Sequence, residues 1–382
     1  MPRCLGRLPR SPLAALGFGA FLAGGCGART DVYLGLVPAT STTVDAAPDV
    51  SVKPPPDAGL DSGRDSAADV HTRHTPDSGV DVVTPPPPPT EAGAAQVVLF
   101  IPAGGGTWTW TGSSWVTVGT LSAPPSRDDT AMASDGQQVV LFGGIDFNND
   151  YVADTWVFSA GQWMETKPSS SPSGRGGHSM ARQGATVVMF GGGATTSDSD
   201  LLDETWVWDG TTWTHAHPAV SPPARELASF AALGDTAVLF GGTDVTGNTL
   251  DDTWVWDGTT WTQVNSPTSP PPQFGQLAAS LGDHVYLFAP DFEGTVSTTD
   301  TWAFDGSTWT PVPSMGLAPT GVYAFGASAV NGSVLLYGGF ESNVAQDDTY
   351  TWSGTSWANL GPSTGPSMFS GATACLMATL GE

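Results

Sequence analysis

Three arginines stand at matching places in an otherwise acidic stretch: Arg127, Arg175 and Arg225, with Gln273 at the next equivalent position. Each arginine lies twelve residues before a short apolar run that opens at Val139, Val187 or Ala237. A guanidinium presents a planar fork of donors that fits a carboxylate, a sulfate or a sugar acid through two parallel hydrogen bonds. Residues 97–382 hold five Lys and Arg against 27 Asp and Glu, a net of −22. Two uses are open to the arginines in such a setting. They can form a positive centre that binds an anionic ligand, with Gln273 completing the row. Alternatively, each can pair with a loop carboxylate and tie the fold together.

Other chemistries find less support. Asp154, Glu204, Asp252, Asp300 and Asp348 each precede a Thr and an aromatic residue. A position repeated so often reads as a loop cap rather than as unique chemistry. His215 and His217 share one face of a strand and could offer two imidazoles to a metal. A copper centre would have to draw on Tyr151, Tyr286, Tyr323, Tyr337, Tyr350, His178, His215, His217, His284 and Cys375, which fall at unlike positions. No catalytic residue and no metal ligand is singled out, and no cofactor is expected. Cys375 stands alone in this region and reads as a small buried hydrophobe.

What must position these groups is a repeat. The stretch Asp251-Asp252-Thr253-Trp254-Val255-Trp256-Asp257-Gly258-Thr259-Thr260-Trp261 recurs along the chain. Its leading aromatics are Trp108, Trp156, Trp206, Trp254, Trp302 and Tyr350, and a closing Trp lies seven positions after each. Alternation puts Trp254 and Trp256 on one strand face, and Asp257-Gly258 predicts a tight turn. Ahead of each such hairpin comes a Val-rich strand, mostly ending in Gly-Gly. Ahead of that, except in the first unit, comes a strand of small residues. Four antiparallel strands (a to d) per roughly 50 residues is a propeller blade. The repeated Trp residues read as packing between sheets, with carbohydrate stacking as the other use. The first unit lacks strand a, and Ser367 to Glu382 is a strand a without partners. Together they predict a sixth, composite blade that closes the ring.

The order of Pro-Pro-x-Arg, small strand, apolar strand with Gly-Gly, acidic loop and Asp-Thr-Trp resembles the kelch repeat over residues 95–382. The resemblance implies an all-β, six-bladed β-propeller with strand a nearest the axis. It also implies that arginines at the start of strand a line a partner-binding surface, here Arg127, Arg175 and Arg225. Most kelch proteins bind partners, and a minority, such as galactose oxidase, are enzymes. The function expected is therefore a non-catalytic module for a protein or glycan ligand, with a carbohydrate-active enzyme as the alternative.

The N-terminal part reads differently. Arg3, Arg7 and Arg10 precede a short apolar run, Leu13 to Ala23, that ends in Gly24-Gly25-Cys26. This resembles a bacterial lipoprotein signal over residues 1–25, with Cys26 as the lipidated residue and simple secretion as the other outcome. Residues 26–94 are rich in Asp and Pro and poor in aromatics, which predicts a disordered tether. The protein is then expected to be exported, and either lipid-anchored at the outer membrane or free in the periplasm or at the cell surface. A net charge of −25 disfavours nucleic acid and anionic lipid, so a membrane is expected only through the lipid anchor. A monomer is expected.

Overall fold

The computed structural model describes residues 95–382, apart from 103, 105, 196, 198–199, 290–299, 314, 317–318, 320–324, 339, 342–343, 363–364, 367–375 and 382. The signal-like segment, Cys26, the tether, Tyr323 and Cys375 lie outside the described residues. Among the described residues every element is a β-strand.

Six meandering sheets make six blades. Blade 2 runs through strands a to d at Ala131–Ser134, Val139–Phe142, Thr155–Ser159 and Gln162–Thr166. Blade 3 uses Ser179–Gln183, Thr186–Phe190, Thr205–Trp208 and Trp213–Ala216. Blade 4 uses Ser229–Leu233, Thr236–Phe240, Thr253–Trp256 and Trp261–Val264. Blade 5 uses Leu277–Leu281, His284–Ala289, Asp300–Phe304 and Trp309–Val312. Blade 6 uses Phe325–Val330, Ser333–Gly338, Asp348–Trp352 and Ser356–Pro362.

Blade 1 is composite, as the strand count predicts. Its strands b, c and d are Gln96–Ile101, Gly106–Trp110 and Trp115–Thr117. Its strand a is Leu376–Leu380, paired antiparallel to Gln96–Phe100. The six a strands touch one another in ring order, and the strand from the C-terminal end lies between those of blades 6 and 2. The pairing covers the edge that Gln96–Ile101 would otherwise present, and the edges left in the ring are short and protected.

The strands form here because each blade has two apolar faces to bury. Six apolar layers lie between adjacent blades, each made from the facing sides of two blades. The closing Trp of each blade locks into its layer. It lies edge-on or tilted to an aromatic of the preceding blade in all six layers: Phe100–Trp163, Phe142–Trp213, Phe190–Trp261, Phe240–Trp309, Phe288–Trp357 and Tyr337–Trp115, at 5.1–5.5 Å between ring centroids. In five layers its indole N–H also donates to a Thr hydroxyl of that blade, as in Trp261 to Thr205 at 2.9 Å and Trp309 to Thr253 at 2.8 Å. A buried Trp removes roughly 150–250 Å² from water, so each ring contributes on the order of 4–6 kcal/mol before ordering costs. The repeated Trp residues are thus inter-blade packing, as their fixed spacing suggested.

The outer edges are covered as well. The linkers into blades 2, 3, 5 and 6 run along the outer strand of the blade they enter. Ser122 Oγ donates to the Trp163 carbonyl at 2.8 Å, and the Trp309 amide donates to Ser266 Oγ at 2.9 Å. In blade 6, Met315–Gly316 pairs in parallel with Ser356–Trp357 as a fifth strand.

Candidate functional site

Antiparallel pairing puts the start of every strand a and every b–c loop on one face of the ring. The c–d turns lie on the other face. There Asp257 accepts from the amides of Thr259 and Thr260 at 2.8 and 2.7 Å, and Gly258 takes the positive φ that the turn needs. These hydrogen bonds hold the Asp257 carboxyl far below the usual carboxylate range.

On the loop face the three arginines are not open to solvent. Arg127, Arg175 and Arg225 are 4%, 0% and 1% exposed. Arg127 forms a two-pronged pair with Asp154 at 2.6 and 2.7 Å, and also donates to the carbonyls of Gly143 and Pro125. Arg225 repeats this with Asp252 at 2.5 and 2.8 Å, and with Gly241 and Pro223. Arg175 donates to Glu204 at 2.6 Å, to Ser173 and to Gly191. Burial alone would raise the Asp154 and Asp252 carboxyls. The guanidiniums and the neighbouring indoles outweigh that and hold both below their ordinary value.

The expectation that these arginines form an open cationic ring for a ligand is therefore corrected. Their donors are consumed inside their own blades. The carboxylates in question are the ones just before Thr-Trp, which the sequence suggested as loop caps. Their second role is to accept from the Trp indole two positions on, as in Trp156 to Asp154 at 2.6 Å and Trp254 to Asp252 at 2.7 Å. Gln273 shares the backbone position, and its carbonyl accepts from Gly242 at 2.9 Å. Its side chain meets Gln276 within the same segment rather than joining a set of ligand donors.

The Gly-Gly pairs explain why the arginine segments sit where they do. The carbonyls of Arg175, Arg225 and Gln273 accept from Gly144, Gly192 and Gly242 of the preceding blade at 2.8–2.9 Å. A Cβ on Gly191 would stand 2.4 Å from the Arg225 carbonyl oxygen, at a φ of +73°. Glycine is needed for that approach. Arg175 and Arg225 thus each join two blades, through the backbone to the one before and through the side chain to their own.

Among the described residues, the b–c loops of blades 2 and 4 stand exposed on this face. In blade 2, Asp146 Oδ1 accepts from the amides of Asn148 and Asp150 at 2.8 and 2.9 Å, and Asn149 takes a φ of +66°. In blade 4, Asp244 Oδ1 accepts from Thr246 and Asn248 at 2.8 and 2.9 Å, and Gly247 takes a φ of +81°. Both loops are pinned at their base, because Arg127 pairs with Asp146 and Arg225 with Asp244 along short ladders. The two pinned turns hold up equivalent side chains, Phe147 at 83% exposure and Val245 at 43%. Asp150, Asp203 and Asp251 are exposed beside these loops. An open groove between the loops of blades 2 and 3 is lined by Asn149, Asp150, Tyr151, Ala194 and Thr195.

Residues 161–339 match the family model described as the KLHDC2/KLHL20/DRC7 Kelch-repeats domain. The match supports the kelch-repeat family for this chain. No curated protein matches it. A kelch propeller suggests a protein-binding module in general terms. Sequence reasoning missed the apolar loop tips of this propeller, although Asp-x-Asn-x-Asp at 146–150 and Asp-x-Thr-Gly-Asn at 244–248 carry the turn signal. His178, weighed in the sequence only as one of the scattered copper-type ligands, is buried against Phe142 with ring centroids 5.7 Å apart. Burial, helped by the Arg175 charge, pushes its imidazole down to about 3. His215 lies flat on Trp206 at 4.6 Å, with His217 beside it at 4.1 Å. Among the described residues no group of three or more His, Cys, Asp or Glu is placed to hold a metal ion.

Proposed function

We propose that this kelch propeller is a non-catalytic binding module that holds a protein ligand on its b–c loop face. We further propose that a lipid on Cys26 tethers it to the cell envelope after export, with residues 26–94 as the spacer. The observation that carries the binding reading is Phe147, 83% exposed at the tip of a loop that two amide hydrogen bonds to the Asp146 carboxylate pin. A large apolar ring held in water on a pinned turn offers area that a partner gains by burying. Val245 repeats the arrangement two blades on. Large aromatics in such positions commonly dominate interface energies. The test is crosslinking in intact cells with the parent chain and with Phe147→Ser. Loss of a discrete protein adduct in the variant supports the reading. Retention of the adduct, or binding only to a glycan array, overturns it.

A further inference from the structure

Resting on that loop-face docking, we infer that the partner segment is a cationic polypeptide that also carries apolar side chains. Three of the five Lys and Arg between 97 and 382 are the inward-turned Arg127, Arg175 and Arg225, each matched by its own carboxylate. Arg182 donates to Gly184 at an a–b turn, on the opposite face, and Lys167 at the rim pairs with Glu165. From residue 226 to 382 there is no Lys or Arg, against 15 Asp and Glu. The apolar tips Phe147 and Val245, on blades 2 and 4, therefore stand on a face whose arginines are already paired, with Asp150, Asp203 and Asp251 exposed on blades 2, 3 and 4.

That charge selects among occupants. A second copy of the chain brings the same acidic surface. The chain's own residues 27–94 carry four Lys and Arg against ten Asp and Glu, so they are repelled too. Nucleic acid is excluded on the same ground. A small cation would satisfy the carboxylates and leave the apolar tips in water. A polypeptide with both basic and apolar side chains satisfies both. Each exposed ion pair adds little, about 0.2–1 kcal/mol, so charge here acts mainly through steering and through rejection of acidic partners. Such attraction is screened by salt over roughly 10 Å at 0.1 M.

The probes are three labelled twelve-residue peptides of alternating Lys and Leu, Lys and Ser, or Glu and Leu, titrated against the full chain. The Lys–Leu peptide is expected to bind at least 100-fold tighter than the Glu–Leu peptide and at least tenfold tighter than the Lys–Ser peptide. Its affinity should fall severalfold between 50 and 200 mM salt. It should fall about tenfold in Phe147→Ser with Val245→Ser, and about tenfold in Asp150→Asn with Asp203→Asn and Asp251→Asn. All five positions are solvent-facing, and the melting curve of each variant is compared with that of the parent first. Equal binding of the Glu–Leu peptide, lost in Phe147→Ser, overturns the cationic inference and leaves loop-face docking standing. Lys–Leu binding that ignores both sets of variants overturns both. The salt titration needs no variant, and a flat response also overturns the cationic inference.

Discussion

The indole of Trp115 donates to the hydroxyl of Thr349 at 3.1 Å across a separation of 234 residues. The same bond joins Trp163 to Thr107 and Trp213 to Thr155 within the ring. Here it links the first blade to the last. With the pairing of Leu376–Leu380 to Gln96–Phe100, it makes the ring's closure a matter of specific contacts.

Thr349→Val should therefore leave a buried indole donor unmatched and cost about 1–3 kcal/mol. Removing residues 376–382 should go further, because it opens the edge of Gln96–Ile101 in blade 1 and takes away a strand that the a strands of blades 6 and 2 pack against. Circular dichroism should then show a broadened melt, and size exclusion should show association. A truncated chain that melts as sharply and stays monomeric would show that the composite blade does not hold the ring.

The arginine clasps give a second expectation. Arg175 is fully buried, and Glu204 has no other cation in the described contacts. Arg175→Met should lower stability by about 3 kcal/mol, near the low end for breaking a buried pair, since the carboxylate end is partly open. Arg175→Met with Glu204→Leu should recover much of that loss. Chemical denaturation of the four proteins of the cycle measures the coupling. Additive losses would mean that the pair does not act as a unit.

His178 should make stability fall in mild acid. Its folded imidazole titrates near 3, below the ordinary 6.5, so the folded state binds no proton at this ring in the window between. The unfolded chain does bind one. Stability is then complete above about 6.5 and declines as pH falls towards 3, by about 1.4 kcal/mol per unit. His178→Gln, which copies Gln276 at the equivalent place in blade 5, should remove that slope between pH 6.5 and 4.5. Denaturation midpoints at several pH values test this, and an unchanged slope would assign the dependence to other groups.

The anchor is testable by fractionation. Cys26→Ser should move the protein from the membrane fraction to the soluble one, since the attached chains supply roughly 0.8 kcal/mol per buried CH₂. An unmoved protein would remove the lipid from the proposal.

The fold was legible because its signals are local and repeated. Trp256 and Trp261 mark a cross-strand pair, Asp257-Gly258 marks the turn, and the spacing counts the blades. The composite blade followed from a missing strand at one end and a spare one at the other. The arginines were legible in position but not in direction. Their spacing places them on one face, yet whether Arg225 points outward or back towards Asp252 depends on a packing geometry that spacing does not contain. The apolar tips were missed for the opposite reason. Phe147 and Val245 occupy equivalent loop positions, but they differ in type and recur in too few blades to stand out from loop residues.

The linkers that shield the outer strands also decide how the protein would be damaged. Leu121 is 98% exposed, in the stretch that lies along the outer strand of blade 2. A protease that cuts there severs no blade and disturbs no apolar layer. It frees a flap and uncovers the outer edge of the blade, the Trp163 carbonyl included. The nicked molecule would still look folded by its melt, yet it would present a ready template for another chain. Loss of solubility in an aging preparation would then begin at the rim, well before the ring itself gives way.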